Sequence, residues 1–237
     1  MKTNHYTSVT KAALGISSAL MLTLTSTSAA ILATADFDAD SYIEFGTNNA
    51  FDPLLTIGES QRPGSGHFNW GVVTFDTTSM STTGSKFLSL SAVEYKTLTP
   101  NPTGPPTTVT SPTGTATINI VALGDSYTNY LASPDKLAWY DANVQSGSVS
   151  ILATLNFTNE SAHYLDVTSS VNDWINTPAN NNGFAIFSTS GNVELASVTN
   201  TNTALLPALT DTAPVPEPSS TALLGLGGLA LIMRRRR

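Results

Sequence analysis

Three carboxylates stand two residues apart at Asp36, Asp38 and Asp40, so in an extended strand they share one side. Like charges gathered in this way repel, and a hard cation such as Ca²⁺ would relieve the repulsion by taking oxygen ligands. The same three residues also read as a solvated acidic strand entry. With no Gly at the sixth loop position and no Glu at the twelfth they are not an EF-hand. A second candidate group is aromatic, because a flat ring stacks on the C–H face of a pyranose while nearby Asn and Asp bond its hydroxyls. Trp70 alternates opposite to Phe75 and so faces out if Phe75 points in, and Trp139-Tyr140 sits in a polar connection. For each ring, core packing is the competing reading. Ser126 in Gly124-Asp125-Ser126-Tyr127 offers a hydroxyl nucleophile, which needs a histidine base and an orienting carboxylate. The downstream histidine, His163, has Glu160 three places before it. His67 and His163 lie too far apart to suggest a zinc pair, and no two acids have a spacing that singles them out for glycoside hydrolysis. No catalytic residue is assigned.

The elements that must position these side chains read as strands. Period-two alternation between turn residues predicts strands at Ser41–Phe45, Leu54–Glu59, Asn69–Asp76, Phe87–Tyr95, Thr115–Leu123, Ser148–Leu155, Gly183–Ser188, Val193–Ser197 and Leu205–Leu209. Leu88, Leu90 and Ala92 alternate with Ser89 and Ser91, giving one dry face and one wet one. The expected fold class is all-β, an antiparallel β-sandwich of jelly-roll type. One short helix interrupts it, with Val167, Val171, Trp174 and Ile175 on one face, Thr168 as N-cap and Pro178 beyond its end. Asn180-Asn181-Asn182-Gly183 supplies a tight turn after that helix. Pro100 to Gly114, with five prolines, reads as a long surface loop.

Charge separates the middle of the chain from its ends. Between Ile31 and Pro214 there are 4 basic residues (Arg62, Lys86, Lys96, Lys136) against 16 acidic ones, or −12. A body this acidic repels phosphate backbones, so no nucleic-acid partner is expected. With Cys 0, no disulfide contributes to its stability. At the N-terminus, Lys2 and Lys11 precede an uncharged stretch from Ala12 to Leu24 and then Ser28, Ala29 and Ala30, the layout of a secretory signal peptide. Cleavage after Ala30 or after Ala35 satisfies the small-residue rule, and the sequence does not choose. At the other end Pro216-Glu217-Pro218 precedes an apolar stretch from Ser219 to Met233 and then Arg234, Arg235, Arg236 and Arg237. Fifteen helical residues reach about 22 Å, short of the roughly 30 Å hydrocarbon core. The arginines hold the C-terminus on the cytoplasmic side. The expected divisions are therefore a signal peptide over 1–30, a β-sandwich module over 31–211 and a sorting segment over 212–237.

That C-terminal order, Pro-Glu-Pro, short apolar span and Arg cluster, resembles the PEP-CTERM sorting domain. The resemblance implies a transient transmembrane helix in the inner membrane and processing by exosortase, with the secretion machinery as a further partner, in a Gram-negative bacterium. Cleavage near Pro216-Glu217-Pro218 and release to the cell envelope or extracellular matrix would follow.

The middle also resembles a family. Ala39-Asp40-Ser41-Tyr42-Ile43, Val72-Val73-Thr74-Phe75-Asp76, Asp166-Val167-Thr168, Trp174 and Asn181-Asn182-Gly183-Phe184 occur in the order seen in the DNRLRE or disaggregatase-related domain, a β-sandwich similar to family 96 carbohydrate-binding modules. The family's usual basic residue before Phe-Asp is replaced by Thr74, and its closing Arg-Pro is absent here. The resemblance implies carbohydrate binding, here of an extracellular polysaccharide. Gly124-Asp125-Ser126 resembles the nucleophile block of SGNH esterases, but about 90 residues of the mature chain precede it and the family's Gly-x-Asn-Asp block is missing. A strand-end turn is the expected role of that segment. The resulting expectation is a non-catalytic, exported envelope or matrix protein. Its alternatives are a purely structural biofilm protein without a glycan site and a secreted polysaccharide lyase or esterase.

Overall fold

A computed structural model describes residues 29–43, 54–59, 68–99, 107–110, 115–145, 151–157 and 162–213. The expected signal segment up to Ser28 and the sorting segment from Pro214, with Pro216, Glu217, Pro218 and Arg234 to Arg237, lie outside the described residues, as do Arg62 and His67. One compact unit spans Ser28–Pro214.

The chain is mostly antiparallel sheet with few helices, as its alternation demands. The strands are β1 (Ile31–Thr34), β2 (Phe37–Tyr42), β3 (Leu54–Glu59), β4 (Phe68–Thr74), β5 (Phe87–Thr99), β6 (Thr107–Thr110), β7 (Ala116–Ala122), β8 (Ile151–Phe157), β9 (Ala162–Asp166), β10 (Phe184–Ser190), β11 (Val193–Ala196) and β12 (Ala208–Thr210). The helices are α1 (Tyr127–Ala132), α2 (Lys136–Tyr140) and α3 (Thr168–Asn176). β5 organises one set of strands: its first residues pair with β12 and β9, its middle with β11, and its end with β6. A second set runs β2-β4-β10-β7-β8. β3 joins the two, pairing with β11 over Leu54–Ile57 and with β4 through Gly58 and Glu59.

The two sets close on a shared core. Leu88 and Leu90 of β5, Leu55 and Ile57 of β3 and Leu195 of β11 meet Val73 and Phe75 at β4, Ile118 and Ile120 of β7 and Phe184 and Ile186 of β10. Each such side chain stabilises the fold by about 1.5–3 kcal/mol on leaving water. The alternation predicted for β7 places Ile118 and Ile120 in this core, with Thr117 and Asn119 only partly buried.

Several boundaries differ from those read in sequence. β2 begins at Phe37 rather than Ser41, so all of Phe37–Tyr42 pairs with β4. β5 continues to Thr99 and pairs with β6, which replaces part of the expected proline-rich loop by a ladder of Thr and Val, residues suited to strands. β1 and β9 have no counterpart among the strands expected from alternation. α3 lies where expected, with Val171 and Trp174 buried. Its N-cap position is Val167 rather than Thr168, and the Asp166 carboxylate takes the Thr168 N–H at 3.0 Å in place of a cap hydroxyl. The predicted turn before β10 is real: Gly183 has φ +87°, and a Cβ there would stand 2.5 Å from the Val73 carbonyl oxygen. The Asn181 amide fastens the turn to the end of β4 by donating to the Phe75 carbonyl at 2.8 Å.

Candidate functional site, an aromatic cap and the groove beside it

β4 is buried on both faces. Val73 and Phe75 point into the shared core, whereas Trp70 and Val72 point the other way, as the alternation requires. The outward face is not open, because the connection between β7 and β8 folds over it as α1 and α2. Trp70 is consequently 0 % exposed. Its ring lies 5.0 Å from Tyr130 at an interplanar angle of 88°, 5.6 Å from Tyr140 and 5.7 Å from Tyr127, the edge-on geometry that aromatic quadrupoles favour. Tyr140 is also buried, at 1 % exposure. This corrects the expectation that Trp70 and Tyr140 offer stacking platforms, since a buried ring presents no face to a sugar. Trp139 is half-buried, in α2 rather than a polar connection, and its indole N–H donates to Asp125 Oδ2 at 3.0 Å.

Short-range polar chemistry builds this cap. Ser126 is the N-cap of α1, its oxygen accepting the Asn129 N–H at 3.2 Å, and Asp135 caps α2 by accepting from Ala138 N–H at 2.9 Å. Lys136 closes the joint between the helices, its ammonium donating to the Leu131 and Ser133 carbonyls at 3.0 and 2.8 Å. Burial would raise the Asp125 carboxyl, but donors from Asn129, Trp139 and the Ser126 backbone outweigh it and hold the group below the ordinary carboxylate range. The Tyr127 phenol bonds the Ser41 hydroxyl on β2, and burial pushes it up to about 12. Tyr130 donates to the Ile43 carbonyl at 3.1 Å.

Beside the cap runs a groove of about 350 Å³ lined by Phe37, Thr74, Ser126, Tyr127, Thr128, Leu131, Asn181 and Asn182. The part-exposed Phe37 ring and Leu131 share it with hydroxyls and amides, Tyr127 being buried at its wall, and its lining has no histidine, carboxylate or ammonium group. Such a surface can bind a polyhydroxylated ligand through apolar contact and neutral hydrogen bonds. Ser126 lies in this lining, with its hydroxyl engaged in the helix cap. His163 belongs to β9, in the other set of strands, paired across from Leu90. The Gly-Asp-Ser segment is therefore a strand-to-helix turn.

The three carboxylates have separate uses. Asp38 and Asp40 are buried, at 1 % and 3 % exposure. Asp38 accepts the Val198 N–H at 2.7 Å, and Asp40 accepts the Thr56 N–H at 2.8 Å. They tie the edge strand β2 to backbone that follows β11 and to β3. Asp36 is exposed and accepts the Thr74 hydroxyl at 2.5 Å. Burial pushes Asp38 up to about 6, partly opposed by the Val198 N–H and the Ser197 hydroxyl and aided by the charge of Asp40. Among the described residues, no group of three or more His, Asp or Glu is placed to hold a metal ion. The structure thus gives Asp36, Asp38 and Asp40 to N–H and O–H donors rather than to a common Ca²⁺.

Sequence reasoning missed Phe37, Tyr127, Thr128 and Leu131 as groove residues. The available signal was the spacing of Tyr127, Tyr130 and Leu131, at i, i+3 and i+4 directly after a capping serine. Among the described residues no helix is long and apolar enough to cross a membrane.

Comparison with known proteins places one landmark on the chain. Residues 214–237 match the family described as the PEP-CTERM protein-sorting motif. No curated protein matches the chain. PEP-CTERM domains are recognised by exosortase, so the match over residues 214–237 implies an exosortase-targeted, secreted surface protein that is anchored transiently in the membrane before export.

Proposed function

We propose that the exported chain is a non-catalytic envelope or matrix protein whose domain, a jelly-roll-like sandwich, associates with extracellular polysaccharide. The observation that carries the reading is the uncharged groove, in which the part-exposed Phe37 ring and Leu131 stand beside Thr74, Thr128, Asn181 and Asn182. The DNRLRE-like order of motifs supports the same reading. Against a domain carrying −12 between Ile31 and Pro214, acidic polymers are repelled, so the ligand is a neutral glycan.

Calorimetric titration of the exported, released protein against neutral and uronic-acid polysaccharides tests this. Saturable binding of a neutral polymer, weakened at least about tenfold by Asn182→Ala and Phe37→Ala together, is the expected result. No binding to any glycan would favour the purely structural surface protein. Glycan or ester turnover that Ser126→Ala abolishes would favour the lyase or esterase.

A further inference from the structure

The folded unit starts ahead of its first strand. β1 pairs antiparallel with β12 through Ile31↔Thr210, Ala33↔Leu209 and Thr34↔Ala208. Ala35 is buried, and its N–H donates to the Pro207 carbonyl at 2.9 Å. Ala30 extends the same ladder. Its carbonyl accepts the Asp211 N–H at 3.1 Å, and its own N–H donates to Asp211 Oδ1 at 2.9 Å.

These contacts discriminate among the possible ends of the export signal. A cut after Ala35 deletes β1 and leaves the outer edge of β12 unpaired, which is the kind of open edge that folded sheets avoid. A cut after Ala30 keeps β1 but deletes both bonds between Ala30 and Asp211. A cut after Ala29 keeps every one of them, with Ala29 at −1 and Thr27 at −3 as small residues.

We infer that a membrane-bound signal peptidase hydrolyses the Ala29–Ala30 peptide bond. The hydroxyl of water adds to the Ala29 carbonyl carbon, and Ala29 leaves with the signal as a carboxylate. The Ala30 nitrogen takes up protons and becomes an α-ammonium. That cation forms 2.9 Å from Asp211 Oδ1, so a neutral hydrogen bond becomes a charge-assisted one. Because the pair is exposed, its contribution is local: it fixes the first residue of the mature chain against the residue that follows the last strand.

Expression of the whole precursor in a Gram-negative host, followed by mass spectrometry of the exported protein's N-terminal peptide, tests the cut. Ala30 as first residue is expected, and any other first residue overturns the inference. The pairing has its own readout, because an ammonium held by a carboxylate reacts slowly with amine-acetylating reagents. In exported Asp211→Asn protein, acetylation of the Ala30 amine at neutral pH is expected to be at least about twofold faster than in the parent. An unchanged rate would contradict the ion pair.

Discussion

At the scale of single residues, the clearest consequence concerns Asp38. Its carboxyl is buried on the inner side of β2, where it accepts the Val198 N–H, and its pKa stands at about 6 against an ordinary 3.8. The folded chain therefore keeps a proton that the unfolded chain releases first. The stabilisation is fully present below pH 3.8 and fades as the pH rises through 6, by at most about 3 kcal/mol, less what solvent screening removes. Asp38→Asn retains an acceptor oxygen for Val198 and removes the charge, so denaturant melts between pH 4 and pH 7 should show a flatter profile for that variant than for the parent. Equal slopes would contradict the assignment. Trp70 makes a second case. It is fully enclosed by Tyr127, Tyr130, Trp139 and Tyr140, so Trp70→Ala is expected to cost about 3–5 kcal/mol in chemical denaturation, the range for deleting a large core ring. A loss under about 1 kcal/mol would mean that the ring is not a core element.

At the scale of elements, legibility followed the length of the apolar pattern. β3 was read to the residue, since Leu54–Glu59 combines alternation with clear turn residues on both sides. α3 was legible because four apolar residues fall on one face over nine positions. α1 and α2 were not, because each is only five or six residues long and its buried residues are tyrosines, which also suit strands and exposed turns. The error about Trp70 follows from that omission. Alternation gave its direction correctly, but direction becomes exposure only when nothing covers the face, and the cover comes from residues about sixty positions later. β6 was hidden among prolines, and its pairing with the end of β5 is a long-range fact that local pattern does not carry. The candidate site shared this fate, since Phe37 and Tyr127 are remote in sequence and meet only after β2 pairs with β4 and α1 settles over it. Two substitutions test the elements themselves. Gly183→Ala places a methyl group 2.5 Å from the Val73 carbonyl oxygen at a φ of +87°, so a loss of at least about 1 kcal/mol is expected by denaturation. Ser126→Ala removes the α1 cap and should cost about 1 kcal/mol, an effect that the same measurement resolves. An unperturbed midpoint in either variant would contradict the geometry described for its turn.

At the scale of the whole molecule, the chain divides by chemistry into a body and an address. The body is an acidic β domain without cysteine, closed by a shared core and by an aromatic cap on one outer face. The address is the matched segment 214–237, in which Pro216-Glu217-Pro218 and the four arginines flank an apolar stretch too short for a comfortable permanent span. If the arginines keep the tail on the cytoplasmic side, as the positive-inside rule expects, release of the exported body requires a cut between Pro-Glu-Pro and the basic end. Mass spectrometry of the protein recovered from the medium or the cell surface of an exosortase-bearing host measures this directly. The account predicts a C-terminal peptide ending near Pro216-Glu217-Pro218 with Arg234 to Arg237 missing. Surface protein that still carries all four arginines would contradict it.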